Sequence, residues 1–215
     1  MTTSVEPAVH IYTLSHLVNA RVGSWERKIK EIEEGRRRAY GYYQPMREAI
    51  VAYCAASGNR REQIVSRMLS DARQRPHGRG QDPEKDNLAA FETFETACYP
   101  KIGQFVRGLL RRPNGTGALF EGIRLNGGPH FQAKDRSGVD RYIFLHASVW
   151  SEEDLKAYLE LLSVVVEEAF GEAPESVWHM DLRAGLVAKH RRSKRVRRNC
   201  SDAARHYARV FTPEL

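Results

Sequence analysis

Near Pro113 the hydrophobic period of this chain changes, and the change limits the folds open to it. Before that point the apolar residues recur at helical spacing. Ser24 can cap a helix carrying Trp25, Ile29 and Ile32 at i, i+4 and i+7, with Gly35 as its stop. Pro45 suits the first turn of a second helix, whose face holds Met46, Ile50, Tyr53 and Cys54 and which stops at Ser57-Gly58. A third runs from about Arg60 through Ile64, Val65, Met68 and Leu69 to about Arg75, and residues 76–83 read as a loop. A fourth presents Leu88, Phe91 and Phe94, and Pro100 is expected to open a fifth through Ile102, Phe105, Val106, Leu109 and Leu110.

After residues 113–117 the period drops to two. Leu119, Glu121 and Ile123 alternate with Phe120, Gly122 and Arg124 in an expected strand ending at Leu125. Asn126-Gly127-Gly128 signals a hairpin, a second strand follows over His130–Lys134, and Arg141–His146 is a third, apolar enough to be central. Ser151, with acids at 152–154, starts a long helix that ends near Gly171. Val177–Leu182 and Leu186–Lys189 read as strands, and a last helix begins at Ser193. The expected fold is α+β: a helical N-terminal half, then a small mixed sheet with flanking helices whose core runs helix, three strands, helix, strand. The corresponding division is a helical subdomain over 1–113 and an α/β core over 114–215 with a basic C-terminal helix, which can also form one continuous domain.

A chain of 215 residues can bury a sizeable core without disulfides or metal clips. No stretch approaches the roughly 18 apolar residues that a membrane span needs, so no membrane partner is expected. Cys54, Cys98 and Cys200 are far apart and form no C-x-x-C pair, which suits a reducing, cytoplasmic setting. The sequence assigns no oligomeric state.

Charge is distributed unevenly. The net charge is +7, yet residues 1–188 hold 25 cations and 25 anions. The excess lies in one decamer, 189–198, where Lys189, Arg191, Arg192, Lys194, Arg195, Arg197 and Arg198 meet no acid. If Ser193 caps the last helix, several of these cations crowd a helix N-terminus, where the macrodipole is already positive. A phosphate there would reverse the balance, because free N–H groups and Arg forks would converge on it. A solvated charged face is the plainer reading. Arg36, Arg37 and Arg38, followed by Tyr40, Tyr42 and Tyr43, form a second cationic cluster beside rings, the composition of a groove for single strands. The same run also fits Tyr side chains entering a core beneath wet Arg side chains.

Phosphate-loop, nucleophile-elbow and zincin motifs are absent. Of eight His residues only His179, two before Asp181, has a second potential ligand nearby in sequence, and two ligands do not make a zinc site.

The element order over residues 100–182, about two fifths of the chain, resembles the restriction-endonuclease-like fold of the PD-(D/E)xK nucleases. In that family an acid near the end of the second core strand, often after Gly and Pro, holds a divalent metal. An acid and a Lys two residues apart on the third strand complete the site, where the metal activates water. Here Gly127-Gly128-Pro129 is followed by His130 in the acid's place, and the third strand aligns His146-Ala147-Ser148. A second alignment takes Glu121 and Gln132 as metal ligands and Lys134 as the residue at the nucleophile. The resemblance then implies a nuclease dependent on Mg.

These readings lead to an expectation of a nucleic-acid-binding protein, for DNA or RNA, that contacts phosphates through Lys189–Arg198, with Arg36–Arg38 as a further contribution. The alternatives are the metal-dependent nuclease and a regulatory module whose basic segment docks on an acidic partner.

Overall fold

The computed structural model describes residues 7–109, 118–171 and 176–211, with the side chains of 33–40 left aside. The fold is α+β. The chain enters through β1 (Ala8–His10) and α1 (Ile11–Val18), then α2 (Trp25–Tyr42), α3 (Gln44–Ala55), α4 (Arg61–Arg73) and α5 (Pro83–Thr93). The strands β2 (Ile102–Gly108), β3 (Ala118–Phe120), β4 (Ile123–Asn126), β5 (Phe131–Asp135) and β6 (Asp140–His146) follow. The chain then forms α6 (Glu152–Phe170), β7 (Val177–Asp181), β8 (Leu186–Lys189) and α7 (Lys194–Phe211).

Five strands form the main sheet in the order β2-β5-β6-β7-β8. All neighbours are antiparallel except β6 and β7, which run parallel because α6 carries the chain back across the sheet. The other sheet, β1-β4-β3, is small and pairs β1 parallel to β4.

Alternation along β6 builds two cores. Ile143 and Leu145 join Met46, Ile50, Phe91 and Phe94 of α3, α5 and the π-helical turn after α5. Tyr142 and Phe144 face the opposite way, toward Leu161, Leu162 and Val165 of α6. The small sheet, α1 and α7 close over the far side of α6, so every residue from Ala157 to Val166 is buried. That stretch includes Glu160, which is fully buried.

Most elements lie where their periods place them. Ser151 Oγ accepts from the Asp154 N–H at 3.1 Å and Gly171 ends α6 in the left-handed region, as caps of that type do. Five expectations change. Asn126-Gly127-Gly128 does not turn a hairpin: it carries the chain from one sheet to the other, with β4 paired to β3 and β1, and β5 to β2 and β6. The fifth helix is instead the strand β2: Ile102, Phe105 and Val106 satisfy either period, and pairing with β5 decides between them. The strand expected through Leu125 is a hairpin, folded at Glu121-Gly122 with φ of 51° and 82°, the two positive values of a tight two-residue turn. Gly35 does not stop α2, since one helical glycine costs only about 1 kcal/mol and good helix formers follow it. Residues 8–18, to which no element was assigned, form β1 and α1.

Candidate functional site

The basic decamer divides in two. The His190 N–H donates to the Val177 carbonyl at 2.8 Å, so the chain leaves the sheet beside the first residue of β7. Ser193 then caps α7, its Oγ accepting from the Val196 N–H at 3.4 Å. On the inner side His190 Nε2 lies 3.2 Å from Glu160 Oε2, and Arg197 Nη1 and Arg192 Nε lie 3.5 and 3.9 Å from Oε1. Arg192 also reaches Glu167 at 3.7 Å, and Arg197 stands over the Phe120 ring. A carboxylate taken wholly out of water needs such compensation. Part of the anion that the helix start called for is therefore internal. Arg191, Lys194, Arg195 and Arg198 stay exposed and make no ion pair with any described residue. Lys189 is exposed, with its ammonium 5.7 Å from the centroid of the Trp178 ring. Arg36, Arg37 and Arg38 fall in the backbone of α2, and their side chains lie outside the described residues.

The three residues expected of a nuclease site do not come together as one group. Glu121, in the β3–β4 turn, accepts from Arg205 Nε of α7 at 2.8 Å, and that hydrogen bond pulls its carboxyl below the ordinary value. Gln132 and Lys134 do come together, on a residue the sequence did not single out: Gln132 Nε2 and Lys134 Nζ donate to the two oxygens of Asp140 at 3.1 and 2.8 Å. Arg107 Nε in turn donates to Gln132 Oε1 at 3.0 Å. Among the described residues no three His, Cys, Asp or Glu side chains are grouped to hold a metal ion.

At the other end of β6 and β7 the structure opens a cleft of about 1300 Å³. It sits past the carboxyl ends of the parallel pair, where α/β sheets commonly hold ligands. Five of the eight His residues line it: His10, His16, His77, His130 and His146. His179 lies behind, its Nδ1 3.5 Å from His146 Nε2. Both positions at which the first alignment put His in place of a family acid or at the family's third strand, 130 and 146, are therefore on one cleft.

Each ring is held by an identifiable contact. His10 caps α1, its Nδ1 accepting from the Tyr12 N–H at 3.1 Å. Asp154, at the start of α6, binds both His16 Nδ1 at 2.8 Å and Asn19 Nδ2 at 3.0 Å, which ties α1 to α6. Gly127 has φ of 120°, and a Cβ there would come within 2.9 Å of Ile11 and 3.1 Å of the His10 ring, so only glycine fits beside that cap. His130 Nδ1 accepts from the Leu145 N–H at 2.8 Å, and its ring stacks on Phe144. His146 stacks on the same Phe144. Trp150 is ringed by Tyr12, His16, Phe144, His146 and Tyr158. Tyr42, Tyr43 and Arg47 also line the cleft, and the Tyr42 hydroxyl donates to Asp86 at 2.5 Å.

Burial favours the neutral form of His130, His146 and His179. It drives His130 far below the ordinary imidazole value and lowers His146, despite the nearby Asp181 carboxylate. His179 falls to about 4, from burial first and then the neighbouring His146. An accepting Nδ1 on a neutral ring leaves the proton on Nε2, so His130 is a donor. Comparison with known protein families, with curated proteins and with solved structures finds no match.

Proposed function

We propose that this chain binds nucleic acid by contacting backbone phosphates with Arg191, Lys194, Arg195 and Arg198, with Lys189 beside them. The observation that supports this reading is the division of the decamer: His190, Arg192 and Arg197 are taken up by Glu160, whereas these four exposed cations have no ion-pair partner among the described residues. They surround the capped start of α7, where the dipole and the first free N–H groups add to their attraction for an anion. Such contacts position a backbone without reading bases, so affinity is expected to be salt-steep and nearly indifferent to sequence.

The test is fluorescence anisotropy with labelled duplex DNA, single-stranded DNA and RNA across about 50–200 mM salt. Replacing the four Arg and Lys by Ala is expected to flatten the slope of log K against log salt on duplex DNA by about 3 to 4, at roughly 0.9 per phosphate. Binding that survives the quadruple variant unchanged overturns the proposal. Absence of binding to all three probes favours an acidic protein partner for the same surface.

A further inference from the structure

We propose that a pocket at the opposite end of the main sheet from the cleft binds a phosphate group. Lys101, Arg136 and Lys189 supply the positive charge, and the indole N–H of Trp178 supplies a neutral donor. The pocket is separate from the start of α7 and does not depend on the four cations there.

Strand order brings these residues together. Lys101 immediately precedes β2, Asp135 ends β5, Trp178 is the second residue of β7 and Lys189 is the last of β8. All of them therefore stand at the end of the sheet where β6 and β7 begin. Ile102 pairs with Asp135, and Trp178 with Lys189. At Gly103 a Cβ would lie 2.5 Å from the Asp135 carbonyl oxygen and 3.1 Å from the Arg136 nitrogen, so glycine is what lets the Lys101 segment close on the 135–137 turn. The pocket lined by these residues measures about 350 Å³, at the small end of ligand sites, which suits a small anion or the phosphate end of a larger molecule.

The charge of the lining selects the ligand. Its acid is fully engaged: Asp135 accepts from Arg141 Nε and Nη2 at 2.9 and 2.7 Å and from the Ser137 and Val139 N–H groups at 2.8 and 3.1 Å. Arg141 cancels the charge of Asp135, and its guanidinium lies 5.1 Å from the centroid of the Trp178 ring. Lys101 and Arg136 are exposed and make no ion pair with any described residue. Lys189 makes none either. Its ammonium stands 5.7 Å from the centroid of the Trp178 ring, a contact that holds the charge at the pocket without neutralising it. Three positive charges on one small lining are thus uncompensated.

The indole points the same way independently. Of the three tryptophans, Trp25 donates to the Ala20 carbonyl at 3.3 Å and Trp150 to Ser148 Oγ at 3.1 Å. Trp178 is only 8% exposed, and its buried Nε1 has no acceptor among the described residues. A buried donor without an acceptor is costly and rare in folded proteins. An oxyanion seated in the pocket supplies that acceptor. A phosphate group suits the lining better than a carboxylate, because it offers more acceptor oxygens to two ammonium groups, a guanidinium fork and an indole, and carries more charge near neutral pH.

The experiment records the indole N–H resonances of the isotope-labelled full chain at constant ionic strength, with Trp178→Phe identifying the Trp178 peak. Inorganic phosphate is expected to move that peak downfield and saturably while those of Trp25 and Trp150 stay in place. Acetate is expected to bind at least tenfold more weakly. Lys101→Ala and Arg136→Ala, both at exposed positions, are each expected to weaken phosphate about tenfold. The quadruple variant of α7, which retains Lys189, is expected to bind phosphate as the parent chain does. No saturable shift of the Trp178 peak, equal affinity for acetate, or normal phosphate binding by Arg136→Ala overturns the proposal. Loss of the shift in the quadruple variant would place the anion at α7 and also overturn it. Duplex DNA then identifies the source: a strand that moves the same peak supplies the phosphate from its backbone, whereas a response to phosphate alone points to a free phosphorylated compound. Nucleic-acid binding at α7 can fail while the phosphate shift stands, so the two sites are judged separately.

Discussion

Single residues here are defined by what they are denied. His130, His146 and His179 lie in or behind the cleft with imidazoles that burial keeps uncharged, and His179 titrates at about 4. An unfolded imidazole titrates near ~6.5. Above that pH both states are neutral and these groups contribute nothing to stability. Below it the unfolded chain takes up protons that the folded chain refuses, so stability falls as pH drops from about 6.5 toward 4. The slope is on the order of 1 kcal/mol per pH unit for each such group. Urea unfolding at pH 7 and pH 5 measures it, and His179→Gln is expected to make the loss shallower; an unchanged slope would mean that His179 is not buried neutral. The donor assignment of His130 was not legible in the sequence, because its partner Leu145 is a backbone group fifteen residues away on another strand.

At the scale of elements, α6 and α7 show how one basic run can do two jobs. The sequence marks the run, its charge and the Ser193 cap, because all three are local. It does not mark Glu160, one acid in an otherwise apolar helix face, as the group that takes up His190, Arg192 and Arg197. The substitutions should therefore diverge within the same ten residues. Glu160→Gln is expected to cost about 3 kcal/mol, since it leaves the buried Nη1 of Arg197 without its counter-charge. Arg195→Ala, on the exposed side, is expected to stay within about 0.5 kcal/mol. Thermal unfolding of the two variants makes the comparison, and similar effects would mean that the division described here is wrong. The nuclease reading meets the same limit. Glu121 and Gln132 read as neighbours on two successive strands, but a two-residue turn at Glu121-Gly122 puts the glutamate in a separate sheet, where Arg205 claims it.

Across the whole molecule, two cores on the faces of one sheet explain the placement of the cysteines. Cys54 and Cys98 are buried in one and Cys200 in the other, and burial raises their thiols to about 12, about 11 and about 12. Iodoacetamide at mildly alkaline pH is thus expected to modify none of them in the native protein and all three in denaturant, as read by mass spectrometry; early labelling of Cys200 alone would indicate that α7 detaches from α6. What the sequence determined by itself is the kind and order of most elements, their caps and the segregation of charge, because period, capping and composition act over a few residues. Only the tertiary structure decided that residues 102–108 pair as a strand, that a buried glutamate engages part of the basic segment, and that histidines from positions 10 to 179 gather around one cleft. Those outcomes depend on which distant surfaces are brought together when the sheet and helices bury their apolar faces, and no local pattern encodes that.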